Sequence, residues 1–260
     1  MTGIANQEHL KNATMRAIRG LIDKLFLVAA ASFEKASEQE IAGTGESLDL
    51  SYIILDIDNF KRFNDEQGHE TGDEVLRYVA SILKRFKEES LPELIEKIEV
   101  GRLGGEEFAI ILAGYSNAQA ALVAEDLRKA LASRKEMETY FSSKPTRVNW
   151  ERYSLVTASI GVATLDSSEL KKIGIGELPP PVDVLRAEEK KLREKADIAM
   201  YTAKSLGKNR VFSFDRILWH GGRIVDIDQR TQVITINQEC CSFLIARNIT
   251  ERLRYFSLGL

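Results

Sequence analysis

The stretch GRLGGEEFAIIL, Gly101 to Leu112, decides the fold, because it joins a glycine turn and two acidic residues to an apolar strand. The preceding segment IEVGRL and the segment EFAIILAG are both rich in β-branched and apolar residues, which predicts a β-hairpin with the glycines at its turn. Glycine adopts positive φ and has no Cβ, so a bulky polyanion can approach the backbone there. The hairpin places Glu106 and Glu107 at the mouth of a buried strand.

The sequence on either side of the hairpin alternates between helical and strand patterns. Strands are predicted at LSYIILDID, SLVTASIGVATL and RVFSF, where apolar residues run nearly continuously. Helical spacing of apolar residues marks Met15 to Phe26, Val75 to Leu83, residues 117–134 and a helix that ends at Gly207. Helices between strands predict an α/β or α+β fold, with one sheet covered by helices.

Two stretches interrupt this pattern, residues 136–153 and residues 166–183. The second contains three consecutive prolines, so no regular structure is expected in it. After Phe214, GGRIVDIDQRTQVITIN alternates apolar and polar residues about a polar turn, which predicts a separate β-hairpin, and a short helix is expected in CCSFLIARNITERLRYF. We therefore expect a main domain at 1–215 and a small C-terminal extension of unknown role at 216–260.

Composition describes an ordinary globular protein. Of the 260 residues, 44% are hydrophobic and 29% are charged, and the net charge of -3 provides no basic field for nucleic acid or anionic membranes. No apolar run approaches the roughly 20 residues needed to span a bilayer, and the N-terminus lacks a signal-peptide pattern. The only cysteines, Cys240 and Cys241, are neighbours that form a disulfide only with strain, so a reducing cytoplasmic compartment is expected.

Acidic residues cluster at the predicted ends of strands. Asp56 and Asp58 end one strand, Glu106 and Glu107 begin another, and Asp73 lies in GHETGDE. For Asp56 and Asp58 alone, emergence into solvent explains the pattern as well as a bound cation does. The second acidic pair favours a cation held between two strand ends, because Mg²⁺ binds a few carboxylates and takes phosphate oxygens to complete its shell.

Two lysines lie near the end of the last predicted helix. Lys204 and Lys208 are four residues apart and so share one helical face. They can neutralise phosphate groups, although a solvated helix surface would show the same spacing.

Five sequence blocks together resemble the GGDEF family, the diguanylate cyclases. They are TGIANQEHL, DIDNFKRFNDEQGHETGDEVL, RLGGEEFAI, ASIGVA and ADIAMYTAKSLGKNRV, and they follow the family order from Met1 to about Phe214. The resemblance implies a palm-like nucleotidyl-cyclase sheet flanked by helices. It also implies condensation of two GTP into cyclic di-GMP, a bacterial second messenger, with release of pyrophosphate at the interface of a homodimer that can be transient.

The resemblance assigns the metal and the chemistry to four residues. Asp56, Glu107 and the carbonyl of Ile57 would bind Mg²⁺ or Mn²⁺. Glu106 would lie beside the attacking ribose 3′-hydroxyl, as general base or as ligand to a second metal ion. Such a metal would stabilise the charge that develops during an in-line displacement.

Further residues would bind GTP by the same resemblance. Gly104 and Gly105 would let the nucleotide lie on the hairpin, while Asn64 and Asp73 would read guanine. The guanine edge offers two donors beside one acceptor, which suits a carboxylate and an amide, so Asp73 disfavours ATP. The β- and γ-phosphates would be held by the backbone at Asn59, Phe60 and Lys61 and by the side chains of Lys204 and Lys208.

The sequence also departs from the family pattern. Lys208 replaces the usual arginine and loses its bidentate fork, and Gln7 replaces an arginine in the opening motif. Ile95 and Ile98 occupy the positions of the Arg-x-x-Asp site through which many members bind product, so that inhibitory site is expected to be absent. His69 is expected to be structural rather than catalytic.

Two alternatives to an active cyclase stay open. A catalytically silent domain that binds GTP or a partner usually lacks a signature acid, and a cyclase making a mixed GMP–AMP product would be favoured by loss of Asp73. Asp56, Glu106, Glu107 and Asp73 are all present, which favours diguanylate cyclase activity. The chain begins at the opening motif, and the sequence leaves open whether a regulatory domain precedes it in a longer protein.

Overall fold

The computed structural model describes residues 2–34, 47–90, 92–144, 155–176 and 178–214, together with strand residues 217–220, 223–227 and 233–234. The helices are α1 (Gln7–Glu34), α2 (Phe60–Gln67), α3 (His69–Glu88), α4 (Pro92–Ile95), α5 (Asn117–Leu131), α6 (Arg134–Ser142), α7 (Ser167–Gly176) and α8 (Val182–Ser205). The strands are β1 (Ala5–Asn6), β2 (Leu50–Ile57), β3 (Ile98–Gly104), β4 (Glu107–Ala113), β5 (Ala158–Leu165), β6 (Val211–Ser213), β7 (Ile217–His220), β8 (Arg223–Ile227) and β9 (Val233–Ile234).

The main sheet has six strands in the order β1-β3-β4-β2-β5-β6. Strand β2 lies at its centre, antiparallel to both β4 and β5, whereas β1 pairs with β3 and β5 pairs with β6 in parallel. Strands β3 and β4 form the predicted hairpin. This mixed sheet covered by helices confirms the predicted α+β fold.

Both faces of the sheet are buried, which explains the nearly continuous apolar run in β2. Successive side chains of a strand point to opposite faces. Ile53 and Leu55 accordingly pack in the core formed with α3, α5 and α6, and Tyr52 and Ile54 pack in the core formed with α1, α7 and α8. By the same alternation, Asp56 falls on the α1 and α8 face.

Helix α8 crosses β5 at very short distance because β5 contains Gly161. A Cβ at this position would lie 2.1 Å from the carbonyl oxygen of Ala196 and 2.2 Å from the backbone nitrogen of Met200. Glycine therefore lets the helix backbone rest on the sheet. One turn further along α8, Lys204 reaches the end of β2.

The expectation of irregular structure throughout 166–183 is wrong, because α7 forms within that segment. The side chain of Asp166 accepts hydrogen bonds from the backbone nitrogens of Ser168 (2.8 Å) and Glu169 (2.9 Å), which satisfies the first free donors of the helix. Leu170 is fully buried against the core. The prolines follow α7 and precede α8, so they separate two helices rather than prevent them.

The stretch 136–153 is partly helical as well. Its first residues belong to α6, which buries Met137 and Phe141 in the core. Residues 145–154 lie outside the described part of the chain.

The predicted C-terminal hairpin is confirmed by β8 and β9, which pair antiparallel with Ile227 opposite Val233. Strand β7 adds a third strand to this small sheet. The predicted helix in CCSFLIARNITERLRYF, with Cys240 and Cys241, lies outside the described residues. None of the helices in the described ranges combines the length and apolar character that crossing a bilayer requires.

Candidate active site

The strand register brings together the two acidic groups predicted from separate parts of the sequence. Asp56 at the end of β2 is the direct cross-strand partner of Glu107 at the start of β4. The side chains of such partners share one face of the sheet. The backbone nitrogen of Ile57 donates to the carbonyl oxygen of Glu106 at 3.3 Å. The end of β2 and the hairpin turn therefore form one site.

Asp56 is a buried carboxylate with one positive and two negative side chains nearby. Its side chain is only 5% exposed, and its Oδ2 lies 2.7 Å from the Nζ of Lys204. Burial raises the pKa of Asp56 to about 6, Lys204 opposes this rise, and the nearby charges of Glu106 and Glu107 add to it. The ammonium of Lys204 thus compensates the acidic group incompletely, which favours a further cation here.

The oxygen atoms of the site suit a hard divalent cation. Asp56 and Glu107 offer carboxylates and Ile57 a backbone carbonyl, the ligand types that Mg²⁺ and Mn²⁺ prefer. Among the described residues, no three or more His, Cys, Asp or Glu side chains gather as a metal cluster. A cation bound here would need oxygens from substrate or water to complete its shell.

Asp58 does not join this acidic group, although the sequence placed it beside Asp56. Its Oδ1 accepts a hydrogen bond from Ser159, and its Oδ2 accepts from Thr157 and from the backbone of Asn209. Both carboxylate oxygens are therefore already in use on the β5 side of β2. Sequence reasoning missed these contacts because the partners lie about a hundred residues or more along the chain.

The hairpin turn presents open backbone. Gly104 has φ 156° and Gly105 has φ 49°, and a Cβ on either would meet no atom within 4 Å. Arg102 donates from Nε (2.9 Å) and Nη2 (2.6 Å) to the carbonyl oxygen of Gly105. The turn is thus accessible yet held in place. Arg102 was not among the predicted site residues, although its position two residues before the paired glycines could have indicated it.

The start of α2 lies next to Lys208, one of the two predicted phosphate-binding lysines. Asn59 has a left-handed φ of 59° and makes no side-chain cap to the helix. Its Oδ1 instead accepts a hydrogen bond from the Nζ of Lys208 at 2.5 Å. Phe60 is buried, so only its backbone is available to a ligand, while Lys61 is exposed. Unpaired N–H groups at a helix start are suited to binding phosphate.

The two residues predicted to read guanine also lie close together. A Cβ at Gly72 would lie 1.7 Å from Oδ1 of Asn64, so Asn64 packs directly against the residue that precedes Asp73. This Oδ1 is buried without a hydrogen-bond partner in the described structure. Asp73 is exposed, and it lines a small cleft of about 40 Å³ together with Thr2, Leu76, Arg77 and Arg102. The structure therefore brings Asn64 close to Asp73, and Asp73 close to Arg102 of the hairpin.

The remaining positions are His69, Ile95 and Ile98, which the sequence predicted to take no part in catalysis or in product binding. His69 is exposed at the first residue of α3. Ile98 is fully buried at the start of β3, and Ile95 is half-buried at the end of α4. The latter two residues offer no polar side chain to a ligand.

Curated relatives of this chain include named cyclases. The chain is 30% identical over 208 residues to the diguanylate cyclase DgcP of Pseudomonas aeruginosa, a match that covers 80% of this chain and 25% of that protein. It is 34% identical over 172 residues to diguanylate cyclase A of Treponema denticola, covering 66% of this chain and 37% of that protein. The chain thus spans well under half of the length of these relatives.

A solved structure and a family match agree with these relatives. The GGDEF domain of DgcB from Caulobacter crescentus, solved in complex with c-di-GMP, superimposes with a TM-score of 0.52 at 26% identity, covering 82% of this chain and 90% of that one. This similarity confirms the palm-like fold. Residues 27–174, more than half of the chain, match the family described as "Diguanylate cyclase, GGDEF domain". The chain therefore belongs to the GGDEF family.

Proposed function

We propose that this chain condenses two GTP molecules into cyclic di-GMP and releases two pyrophosphates, as a diguanylate cyclase that uses Mg²⁺ or Mn²⁺. The observation that carries the proposal is the register that sets Asp56 opposite Glu107, beneath Lys204 and beside an open glycine turn. The named cyclases among the relatives support it.

Asp56, Glu107 and the Ile57 carbonyl would hold the cation. When bound, it supplies charge stabilisation at the α-phosphate and makes the attacking hydroxyl more acidic. Lys204 already contacts Asp56, so its ammonium lies within reach of a phosphate bound beside that carboxylate.

The bond changes follow from the chemistry of the product. The ribose 3′-oxygen of one GTP forms a bond to the α-phosphorus of the other, and the bond from that phosphorus to the bridging oxygen of pyrophosphate breaks. Glu106 would accept the proton of the 3′-hydroxyl as general base, unless it binds a second metal ion instead. The same exchange at the second GTP closes the ring.

The triphosphate would extend from the hairpin towards the start of α2. Gly104 and Gly105 leave room for the nucleotide because their positions are open. The backbone at Asn59, Phe60 and Lys61 would donate to the β- and γ-phosphates, and Lys204 and Lys208 would neutralise them.

The guanine would bind between α2 and α3. Asp73 would accept the two neighbouring donors of the base, and Asn64 would serve its edge through the amide. The packing of Asn64 against Gly72 supports this assignment, because it sets the amide beside Asp73.

Two chains are needed in this proposal, because each chain carries one set of nucleotide-binding residues and the product is two-fold symmetric. An isologous encounter lets each 3′-hydroxyl face the α-phosphate held by the other chain. The main domain at 1–215 would provide this activity in the cytoplasm, where GTP is available. The proposal is compatible with a regulatory domain in a longer protein. It is also compatible with a separate role for the extension at 216–260.

Incubation of the full chain with Mg²⁺ and GTP, with and without ATP, followed by mass spectrometry of the products, tests this function. Cyclic di-GMP should form in both mixtures. Tight GTP binding without any product would instead identify a silent domain, and a cyclic GMP–AMP product in the presence of ATP would show that Asp73 does not select guanine.

A further inference from the structure

The carboxylate of Asp58 connects the end of one strand to two other parts of the chain. Asp58 is 9% exposed and follows the last residue of β2. Its Oδ1 accepts from Oγ of Ser159 at 2.6 Å, and its Oδ2 accepts from Oγ1 of Thr157 at 2.8 Å. The same Oδ2 accepts from the backbone nitrogen of Asn209 at 2.9 Å. The side chain thus links the end of β2 to β5 and to the loop after α8.

That loop has an unfavourable backbone conformation. Gly207, Lys208 and Asn209 have φ of 113°, 64° and 45°, all in the left-handed region. Two of the three carry side chains, and such residues keep this conformation only where their surroundings enforce it. Within the described residues, two hydrogen bonds from other elements hold Asn209: its backbone nitrogen donates to the Asp58 carboxylate, and its side-chain oxygen accepts from Arg128 at 2.8 Å.

The loop conformation decides where Lys208 points. Its backbone nitrogen donates to the last turn of α8, at the carbonyl of Ala203 (3.1 Å), and its ammonium reaches Oδ1 of Asn59 at the start of α2. Asn59 directly follows Asp58 in the chain. One carboxylate therefore supports both the loop that carries the lysine and the residue that the lysine contacts.

Three donors converge on Asp58, and its chemistry is suited to all of them. An ionised carboxylate accepts hydrogen bonds through both oxygens. In asparagine, which has the same shape, an NH2 group replaces one oxygen and would face at least one of these donors. A hydrogen bond to a charged acceptor is also stronger than one between neutral groups. The residue is therefore better placed to fix the loop than to bind a cation.

We infer that Asp58 is a positioning residue that holds the loop of residues 207–209 so that Lys208 faces the phosphate site at the start of α2. This inference rests on the proposed function, because it takes Lys208 to contact the β- and γ-phosphates of GTP. Asp58 itself touches no substrate, and its effect on catalysis passes through the lysine.

Equilibrium binding of two nucleotides to the full chain tests this role. GMP lacks the phosphates that Lys208 would contact, whereas α,β-methylene GTP retains them and cannot release pyrophosphate. With Mg²⁺ present, Asp58→Ala should weaken binding of the GTP analogue by about tenfold, the size expected for loss of one charge-assisted hydrogen bond. Binding of GMP should stay unchanged.

Two further variants separate positioning from general damage to the fold. Asp166→Ala is the matched control, since Asp166 also accepts from a hydroxyl and from backbone nitrogens but lies at α7. It should leave the ratio of the two affinities unaltered. In a Lys208→Ala background, Asp58→Ala should cause little further loss, because coupled residues show non-additive effects.

Equal weakening of GMP and of the GTP analogue, or full additivity with Lys208→Ala, would overturn the inference. If Asp58→Ala does not fold, Asp58→Asn gives the same test, with a smaller selective loss expected because one accepting oxygen remains. A wild-type chain that binds both nucleotides equally would refute the phosphate site of the proposed function, and this inference with it. Selective binding by the wild type with no effect of Asp58→Asn would refute the role of Asp58 alone.

Discussion

Asp56→Asn should stabilise the metal-free protein while abolishing its activity. The folded-state pKa of Asp56 is about 6, against an ordinary value of 3.8, and the largest cause is burial. The native protein therefore holds the proton more tightly than the unfolded chain does. The stability linked to this proton is fully present below about pH 3.8 and is lost as the pH rises through about 6.

The magnitude follows from this difference in pKa. It corresponds to roughly 3 kcal/mol of cost for the ionised carboxylate at pH 7, and hydration near the edge of the site reduces the cost to about 1–3 kcal/mol. Asparagine keeps the shape of the aspartate side chain and carries no charge. Lys204 is 31% exposed, so water can hydrate its ammonium once the carboxylate is removed. The variant should melt about 2–8 °C above the wild type at pH 7 in the presence of a chelator.

Thermal unfolding at pH 7 and at pH 5 measures this effect. The advantage of Asp56→Asn should shrink by about 1 kcal/mol at pH 5, where the wild-type carboxyl is mostly protonated. Added Mg²⁺ should raise the melting temperature of the wild type more than that of the variant, because ligand binding stabilises only a chain that binds the ligand. Asp65→Asn, a change at an exposed position on α2, is the control and should show neither effect. A variant less stable than the wild type at pH 7, or a pH-independent difference, would refute the reasoning.

Three further predictions concern the nucleotide site. Gly72→Ala should displace Asn64, because the new Cβ would lie 1.7 Å from the Oδ1 of Asn64. The KM for GTP should then rise about tenfold, while circular dichroism shows an intact fold. An unchanged KM would show that Asn64 does not bind guanine. Lys208→Arg should lower the KM for GTP by about two- to fivefold because it restores the bidentate fork, and a raised KM would contradict the assigned phosphate contact. Cyclic di-GMP should not bind beside Ile95 and Ile98, as calorimetry and crystallography of a product complex can establish, whereas a product dimer bound there would refute the expectation.

The specific activity of the purified chain should rise with protein concentration, because two chains must meet for each product molecule. A verified monomer with concentration-independent specific activity would exclude the proposed encounter.

The sequence predicted the central sheet well because its signals are local. The β2 segment and the hairpin are apolar runs bounded by glycine and acidic residues, and a strand needs little more to be recognised. The sequence predicted that Asp56 and Glu107 lie near each other, and it did not predict that they are direct cross-strand partners. Their register is set by the antiparallel pairing of β2 with β4, which residue spacing does not reveal.

Other features depend on contacts that are distant in sequence. Asp58 meets Thr157 and Ser159 across about a hundred residues, and no local pattern distinguishes it from Asp56. Helix α7 was missed for a different reason. The prolines that follow it dominated the interpretation of 166–183, although Asp166 and the buried Leu170 support a helix before them.

The stoichiometry of the reaction tests the central claim most directly. The full chain should convert every two GTP into one cyclic di-GMP and two pyrophosphates in the presence of Mg²⁺. Glu107→Gln should lose this activity and retain the fold, because it removes one of the two carboxylates proposed to hold the cation. Glu138→Gln, a change at an exposed residue paired with Arg134 on α6, should behave as the wild type does. Consumption of GTP without a cyclic dinucleotide, or turnover by Glu107→Gln at the wild-type rate, would contradict the account.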